Sequence, residues 1–181
     1  VKYGLSFVTP ENAENIISGK KTIQNLIGEA TLAKNTIKHN AEQDFAVYSS
    51  DLAEKILKEE RIEKIMENAL KNDEFFVVYQ PKISLIDDKI IGAEALVRWN
   101  SKDFNKILPP NDFIPVFENN GFIKKLDFQV YEIVFKFLEK QIKENKKVVP
   151  ISVNMSRNHI NADEFMVEFM KRFNKYKIPT S

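Results

Sequence analysis

The sequence predicts an α/β fold: part of a (β/α)8 barrel of the triosephosphate isomerase type, preceded by a smaller α+β region. Two observations carry this prediction. Strand patterns and amphipathic helix patterns alternate from residue 89 onward, which favours a parallel sheet with helices outside it. Residues 74–181 are fewer than half of the ~250 residues that such barrels take, so the sequence indicates the N-terminal half of one.

The predicted strand at residues 89–100 is apolar but carries one carboxylate, Glu94, and one guanidinium, Arg98. A buried, unpaired charge costs several kcal/mol, so Glu94 is expected to be paired or bound to a metal. Alternation with period 2 puts Glu94, Leu96 and Arg98 on one face, where Gly92 leaves room. Glu94 and Arg98 lie about 13 Å apart in an extended chain. The spacing excludes a salt bridge and favours contacts with two parts of one elongated ligand.

The N-terminal third predicts strand, helix and strand in that order, followed by a connecting helix. Residues 1–8 and 45–48 are strand candidates, residues 9–21 are polar and turn-rich, and residues 22–40 have near-helical apolar spacing. Residues 51–72 form an amphipathic pattern with an N-cap at Ser50 or Asp51. Its apolar stripe is expected to pack on a neighbouring domain; the alternative, a dimerising coiled coil, is interrupted at Glu59.

Residues 75–85 predict a strand that forms an antiparallel hairpin with the Glu94 strand. A loop of three residues, 86–88, would place Gln80 opposite Glu94 on the same face. A loop of two residues would turn Gln80 to the other face, because side chains alternate.

The remaining elements follow from periodicity and from helix end signals. We expect a loop at residues 101–109, a helix from Pro110 or Asn111 to the turn at Gly121, and a longer helix from residue 123 to the basic end at 143–147. A strand at 148–153 and a helix at 162–176 complete the chain. The aromatic residues of this last helix recur at helical spacing, which favours core packing over base stacking.

The composition excludes several classes of protein. Lys and Arg number 27 against 26 Asp and Glu, so no global field would attract nucleic acid or an anionic membrane. There is no cysteine, no apolar run of membrane-spanning length and no signal peptide pattern. These features indicate a soluble, cytoplasmic protein without a membrane segment. His39 and His159 have no second histidine nearby and are expected to be ordinary surface or loop residues.

Two successive predicted strands bring oxygen ligands together. Asn154 follows the strand at 148–153, and active residues of parallel barrels gather at the C-terminal ends of the strands. Asn154 and Glu94, on successive parallel strands, would offer two oxygen ligands to Mg²⁺ or Mn²⁺. In the alternative, Glu94 pairs with a core basic residue and Asn154 caps a helix. Arg98 would bind a phosphate through its planar fork, or else form a salt bridge at the rim.

The motifs resemble those of the EAL domain, the bacterial cyclic-di-GMP phosphodiesterase module. The resemblance covers about residues 72–181. It rests on the following residues: Glu94-Ala95-Leu96, Val97-Arg98-Trp99, Tyr79-Gln80-Pro81-Lys82, Pro110, Phe113-Ile114-Pro115, Glu118, Gly121 and Ser152-Val153-Asn154-Met155-Ser156.

The resemblance implies metal-dependent hydrolysis of cyclic-di-GMP to linear pGpG, with Mg²⁺ or Mn²⁺ at Glu94 and Asn154 and substrate contacts from Gln80, Leu96 and Arg98. Glu118 matches a position that looks structural. Family members complete the metal site with further acidic residues and a lysine that would follow residue 181, so we expect a fragment that is inactive by itself. The alternative is a receptor that binds cyclic-di-GMP without hydrolysing it.

Residues 1–50 resemble the C-terminal part of a GGDEF-like domain, without the GGDEF motif. The expected organisation is therefore a GGDEF-like remnant at 1–50, a connecting helix at 51–73 and the N-terminal half of an EAL domain at 74–181. A homodimer formed through EAL or helix contacts is expected.

Overall fold

The computed structural model describes residues 1–38, 42–159 and 162–179. His39 therefore lies outside the described residues. The chain forms two compact units, residues 1–60 and residues 61–181. The second unit contains every residue that the sequence analysis assigns to a site.

The N-terminal unit contains a two-stranded parallel sheet, β1 (Tyr3–Leu5) and β2 (Phe45–Val47). The predicted order of strand, helix and strand is confirmed by α2 (Ile23–Thr36) between them. The prediction of turns at 9–21 is wrong in part, because α1 (Pro10–Ile17) forms there. Its start signals are in the sequence: the side chain of Thr9 accepts a hydrogen bond from the Asn12 amide, and Pro10 follows the cap.

A small core of Ala33, Ile37 and Ala46 holds this unit together, with Tyr48 and Leu52 packed against it. Strand β1 approaches α2 so closely that a Cβ at Gly4 would lie 1.7 Å from the carbonyl oxygen of Ala30. Only glycine fits at this crossing.

The predicted connecting helix is α3 (Ser50–Lys71). Within its second half, Ile62 and Ala69 are fully buried in the core of the C-terminal unit. These stripe residues are therefore not free to form the seam of a dimeric coiled coil, and the prediction that the stripe packs on a neighbouring domain is confirmed for them.

Strand β4 (Ile90–Ser101) is the centre of the sheet in the C-terminal unit. It pairs antiparallel with β3 (Phe75–Ile83) and parallel with β6 (Ile151–Val153). The predicted parallel pairing is thus present. The predicted loop at 101–109 is wrong in part, because β4 continues to Ser101 and turns back into β5 (Lys106–Leu108), which pairs antiparallel with it.

The predicted register of the hairpin is confirmed, because Gln80 lies opposite Glu94. The loop is longer than the expected three residues: the Ser84 amide donates to the Lys89 carbonyl over 2.9 Å. Lys82 pairs with Gly92 while Ile83 pairs with Ile90, so one extra residue bulges out of β4 between these pairs. The bulge compensates for the different loop and restores the predicted faces.

The second half of α3, α4 (Pro110–Asn120) and α5 (Ile123–Lys143) pack on the described sheet, and α6 (Ala162–Phe173) packs on α5. Helix α4 ends at Gly121 with φ of 78°, as its sequence predicts. The predicted strand at 148–153 is shorter than expected. Helix α5 ends at Lys143, within the predicted basic end, whereas α6 ends at residue 173 and not at the predicted 176.

The core lies where β3 and β4 meet α3, α4 and α5. Trp99 is completely buried between Phe75, whose ring centroid is 4.9 Å away, and Phe113, at 5.6 Å. The aromatic residues of α6 pack against those of α5, as predicted from their spacing; for example, Phe169 lies edge-on to Tyr131.

The described C-terminal unit is thus a mixed sheet covered by helices, and its closure into a barrel stays a prediction. Among the described residues, no helix combines the length and apolar character needed to cross a bilayer.

Candidate functional site

The parallel ladder between β4 and β6 brings Glu94 and Asn154 together. Glu94 pairs with Ser152 in this ladder, and Asn154, two residues further on, lies on the same face. The Asn154 Nδ2 donates to Glu94 Oε1 over 2.9 Å. The half-buried Glu94 therefore has a neutral amide as its partner. The described contacts give no support to the alternative in which a core basic residue neutralises it.

The chemistry of this pair fits a hard divalent cation in part. A carboxylate and an amide in direct contact supply two oxygen ligands, and Mg²⁺ prefers oxygen. The described residues contain no cluster of three or more aspartate, glutamate, histidine or cysteine side chains that could hold an ion. The pair therefore accounts for two positions of a coordination shell and leaves the others to further ligands.

Gln80 and Lys82 share the polar face of the sheet with Glu94. Gln80 lies directly opposite Glu94 and is exposed. The Lys82 Nζ reaches across β4 and donates to Ser152 Oγ over 2.7 Å. Lys82 was missed as a site residue by the sequence analysis, although a signal exists. Lys82 belongs to the run Tyr79-Gln80-Pro81-Lys82 that the sequence already singles out, and Gly92 lies opposite it in the ladder.

Leu96 and Arg98 are half-buried and line a cavity of about 240 Å³ at the C-terminal ends of β4 and β6. Asn154 lines the same cavity, so three of the five predicted site residues meet there. The Arg98 Nη1 donates to the Val97 carbonyl over 2.8 Å. This bond uses one of the five N–H donors of the guanidinium fork and leaves the others for a ligand.

A network of buried polar groups forms the far wall of the cavity, and the sequence analysis missed it. Asp127 Oδ2 lies 2.9 Å from His159 Nε2 and accepts the Ser156 amide over 3.0 Å. The side chain of His159 is only 4% exposed, so the prediction of an ordinary surface or loop residue is wrong. Burial raises the pKa of Asp127 above its ordinary value, and the nearby Glu118 raises it further. One signal was available, since Asp127 interrupts the apolar stripe of α5.

Comparison with known proteins points to one family. The sequence profile of the EAL domain matches residues 63–181. The Mycobacterium tuberculosis protein Rv1357c is 40% identical over 103 residues, which are 56% of this chain and 33% of that protein. The probable cyclic di-GMP phosphodiesterase PdeB of Escherichia coli is 28% identical over 113 residues, which cover 62% of this chain and 22% of PdeB.

Solved structures share the fold. The phosphodiesterase PaMucR in complex with c-di-GMP superposes with a TM-score of 0.59 at 20% identity, covering 65% of this chain and 47% of that structure. The chain thus spans less than half the length of each of these three proteins.

Proposed function

Because the chain belongs to the EAL-domain family, we propose that it supplies part of the active site of a cyclic-di-GMP phosphodiesterase. The complete domain hydrolyses cyclic-di-GMP to linear pGpG in bacterial second-messenger signalling. One observation carries the proposal: Glu94 on β4 is in contact with Asn154, which directly follows the neighbouring parallel strand β6.

In this proposal Glu94 and Asn154 bind a divalent cation, Mg²⁺ or Mn²⁺. Glu94 ligates through its carboxylate and Asn154 through Oδ1, which the terminal torsion of the amide can turn toward the shared ligand. The bound cation lowers the pKa of water and stabilises charge on the phosphoryl group. A cation facing Glu94 would pair with its negative charge, which accounts for a carboxylate in an otherwise apolar strand.

Gln80, Leu96 and Arg98 bind the nucleotide. Arg98 donates charge-assisted hydrogen bonds to one phosphate, for which a planar guanidinium fork is well suited. Leu96 supplies an apolar wall in the cavity beside it, and the Gln80 amide binds a polar group of the ligand above Glu94. None of these three residues transfers a proton, so their contribution is to orient the phosphodiester.

The sheet around β4 is proposed to be the beginning of a TIM-type barrel, in line with its likeness to solved EAL structures. Residues 1–50 are proposed to be the end of a GGDEF-like domain, with residues 51–73 as the connecting helix. Homodimerisation through EAL or helix contacts stays a prediction.

A receptor without catalysis is the second candidate. It is favoured by the cavity that Leu96 and Arg98 line, which would take up a nucleotide without a metal. A receptor would use Gln80, Leu96 and Arg98 to bind cyclic-di-GMP but would not convert it to pGpG.

The test uses the complete EAL domain that contains this chain. Mn²⁺ affinity is measured by calorimetry, and conversion of cyclic-di-GMP to pGpG is followed by chromatography. Glu94→Gln removes the charge at nearly constant shape, so we expect at least a tenfold (~1.4 kcal/mol) loss of Mn²⁺ affinity and a fall in turnover. Asn154→Ala is expected to act in the same direction but less strongly.

The exposed Asp87 of the hairpin turn provides a control, because Asp87→Asn removes a charge far from the ladder with β6. Unchanged metal affinity and turnover in Glu94→Gln would make Glu94 a structural residue and refute the proposal. If the wild-type domain binds cyclic-di-GMP but forms no pGpG, the result supports the receptor function.

A further inference from the structure

Asn154 lies between the end of strand β6 and a hydrogen-bonded segment, residues 156–159. Strand β6 ends at Val153, so no ladder hydrogen bond holds the residues beyond it in the described sheet. Asn154 is itself exposed and contacts Glu94 through its side chain alone. Residues 156–159, by contrast, are held by several hydrogen bonds to two helices.

Helix α5 holds this segment through Asp127. A single carboxylate oxygen, Oδ2, accepts the Ser156 amide over 3.0 Å and lies 2.9 Å from His159 Nε2. Asp127 is 8% exposed, and burial raises its pKa. A carboxylate in such surroundings is stable only when its oxygens are well partnered. The two bonds therefore fix the segment relative to α5 at two points, three residues apart.

Helix α4 holds the same segment from a second direction. Glu118 Oε1 accepts a hydrogen bond from Ser156 Oγ over 3.0 Å, and the Glu118 carbonyl accepts from Asn158 Nδ2 over 2.7 Å. The His159 ring packs between Phe128, with centroids 5.4 Å apart, and Phe165, at 4.8 Å. Movement of the segment would break bonds to both helices at once.

We propose that Asp127 and His159 are positioning residues that keep Asn154 directed at Glu94 and thereby set the affinity for the divalent cation. This inference rests on the proposed function of Asn154. Neither residue touches the metal or the nucleotide; both act through the backbone of residues 156–159. Polar groups that orient metal ligands typically change metal affinity by 10–100-fold when they are removed.

The C-terminal unit offers a matched control for loss of stability. Glu74 Oε2 accepts hydrogen bonds from Trp99 Nε1 over 3.0 Å and from the Lys102 amide over 3.3 Å. Glu74 thus resembles Asp127, because each carboxylate contacts one ring nitrogen and one backbone N–H. Glu74, however, lies near the end of β4 that carries Trp99, away from Asn154. Glu74→Ala should destabilise the fold without disturbing Asn154.

The experiment measures Mn²⁺ affinity by calorimetry and thermal stability in the complete EAL domain. Asp127→Ala and His159→Leu are expected to weaken Mn²⁺ binding by about tenfold. His159→Gln keeps an N–H donor near the position of Nε2, so it should restore affinity close to that of the wild type. Glu74→Ala should lower the melting temperature and leave Mn²⁺ affinity unchanged.

Different results would overturn different steps. If Asn154→Ala weakens Mn²⁺ binding while His159→Leu does not, the positioning role is refuted and the metal site stands. If Asn154→Ala has no effect, the proposed metal site itself fails. The inference is also refuted if Glu74→Ala and His159→Leu lose Mn²⁺ affinity equally, or if His159→Gln does not restore it. Either result would mean that Asp127 and His159 only stabilise the fold. If Asp127→Ala does not fold, the comparison of His159→Leu with His159→Gln decides alone.

Discussion

Arg98 is expected to bind substrate without contributing to the metal site. It lies four residues from Glu94 along β4, which corresponds to about 13 Å at ~3.3 Å per residue. Its Nη1 is bonded to the Val97 carbonyl, so the guanidinium is held beside the cavity that Leu96 and Asn154 also line. A cation bound by Glu94 would be out of its direct reach.

The magnitude follows from the contacts that Arg98→Ala would remove. Hydrogen bonds to charged groups contribute about 1.5–3 kcal/mol, which corresponds to a tenfold to hundredfold loss of affinity for cyclic-di-GMP. One donor already serves Val97 and the remaining donors are available to a phosphate, so a loss within that range is expected. The Mn²⁺ affinity should stay at the wild-type value.

The assay is calorimetric titration of Mn²⁺ and of cyclic-di-GMP separately into the complete domain, combined with steady-state kinetics. A contact made equally in ground and transition states raises KM and leaves kcat largely unchanged. Arg61→Ala is the control, because Arg61 lies on α3 and bonds with Asp103. Equal losses of metal and nucleotide affinity in Arg98→Ala would mean that Arg98 supports the metal site or the fold, and the division of β4 into two subsites would be wrong.

Two further predictions concern the isolated chain and its stability. The 181-residue chain alone should produce no measurable pGpG in the chromatographic assay, because its described residues bring together no group of three His, Cys, Asp or Glu side chains that could hold a metal ion; turnover by the purified monomer would contradict this. Tyr79→Phe should raise the unfolding free energy in urea by ~1 kcal/mol, since the buried Tyr79 hydroxyl has no hydrogen-bond partner in the described structure. Burial raises the Tyr79 pKa from 10 to about 12, so the folded protein holds the phenol proton more tightly than the unfolded chain does. The free energy of unfolding therefore keeps its full value below pH 10 and decreases as the pH rises through 12. Tyr79→Phe should therefore lose less unfolding free energy between pH 10 and 12 than the wild type. Part of the loss should remain, because burial also raises the pKa of Tyr131 to about 12. An unchanged pH dependence would contradict this account.

The sequence predicts the face of β4 well because alternation is a local property. Glu94, Leu96 and Arg98 keep the expected period, and Gln80 lies where the family resemblance places it. The loop length was wrong and the register was nevertheless right, because a bulge near Gly92 absorbs the extra residue. Burial of one face of a sheet specifies register more strongly than a turn does.

Features that depend on packing between distant elements were not predicted. Strand β5 is three residues long and has no periodic pattern of its own; it exists because β4 extends to Ser101 and offers a partner. His159 carries no sequence signal of burial, since its partner Asp127 lies 32 residues earlier and on another element. A polar network of this kind becomes visible only when the helices that supply it are placed.

The proposed site depends on the register of one short parallel ladder. Ser152 lies opposite Glu94 in this ladder, and Asn154 shares its face. Side chains alternate along the strand, so a slip by one residue would place Ile151 or Val153 opposite Glu94, turn Asn154 to the other face and remove the second oxygen ligand. Three paired residues alone specify that register weakly. It is reinforced by the Ala93 amide, which donates to the Pro150 carbonyl over 3.0 Å, and by Lys82, which bonds Ser152 from β3. A Cβ on residue 92 would lie 3.2 Å from the same Pro150 carbonyl, so glycine there permits the close approach. The ammonium group of Lys82 and the glycine opposite it thus help to fix the position of Asn154, and the run from Tyr79 to Lys82 would act on the proposed metal site through the ladder.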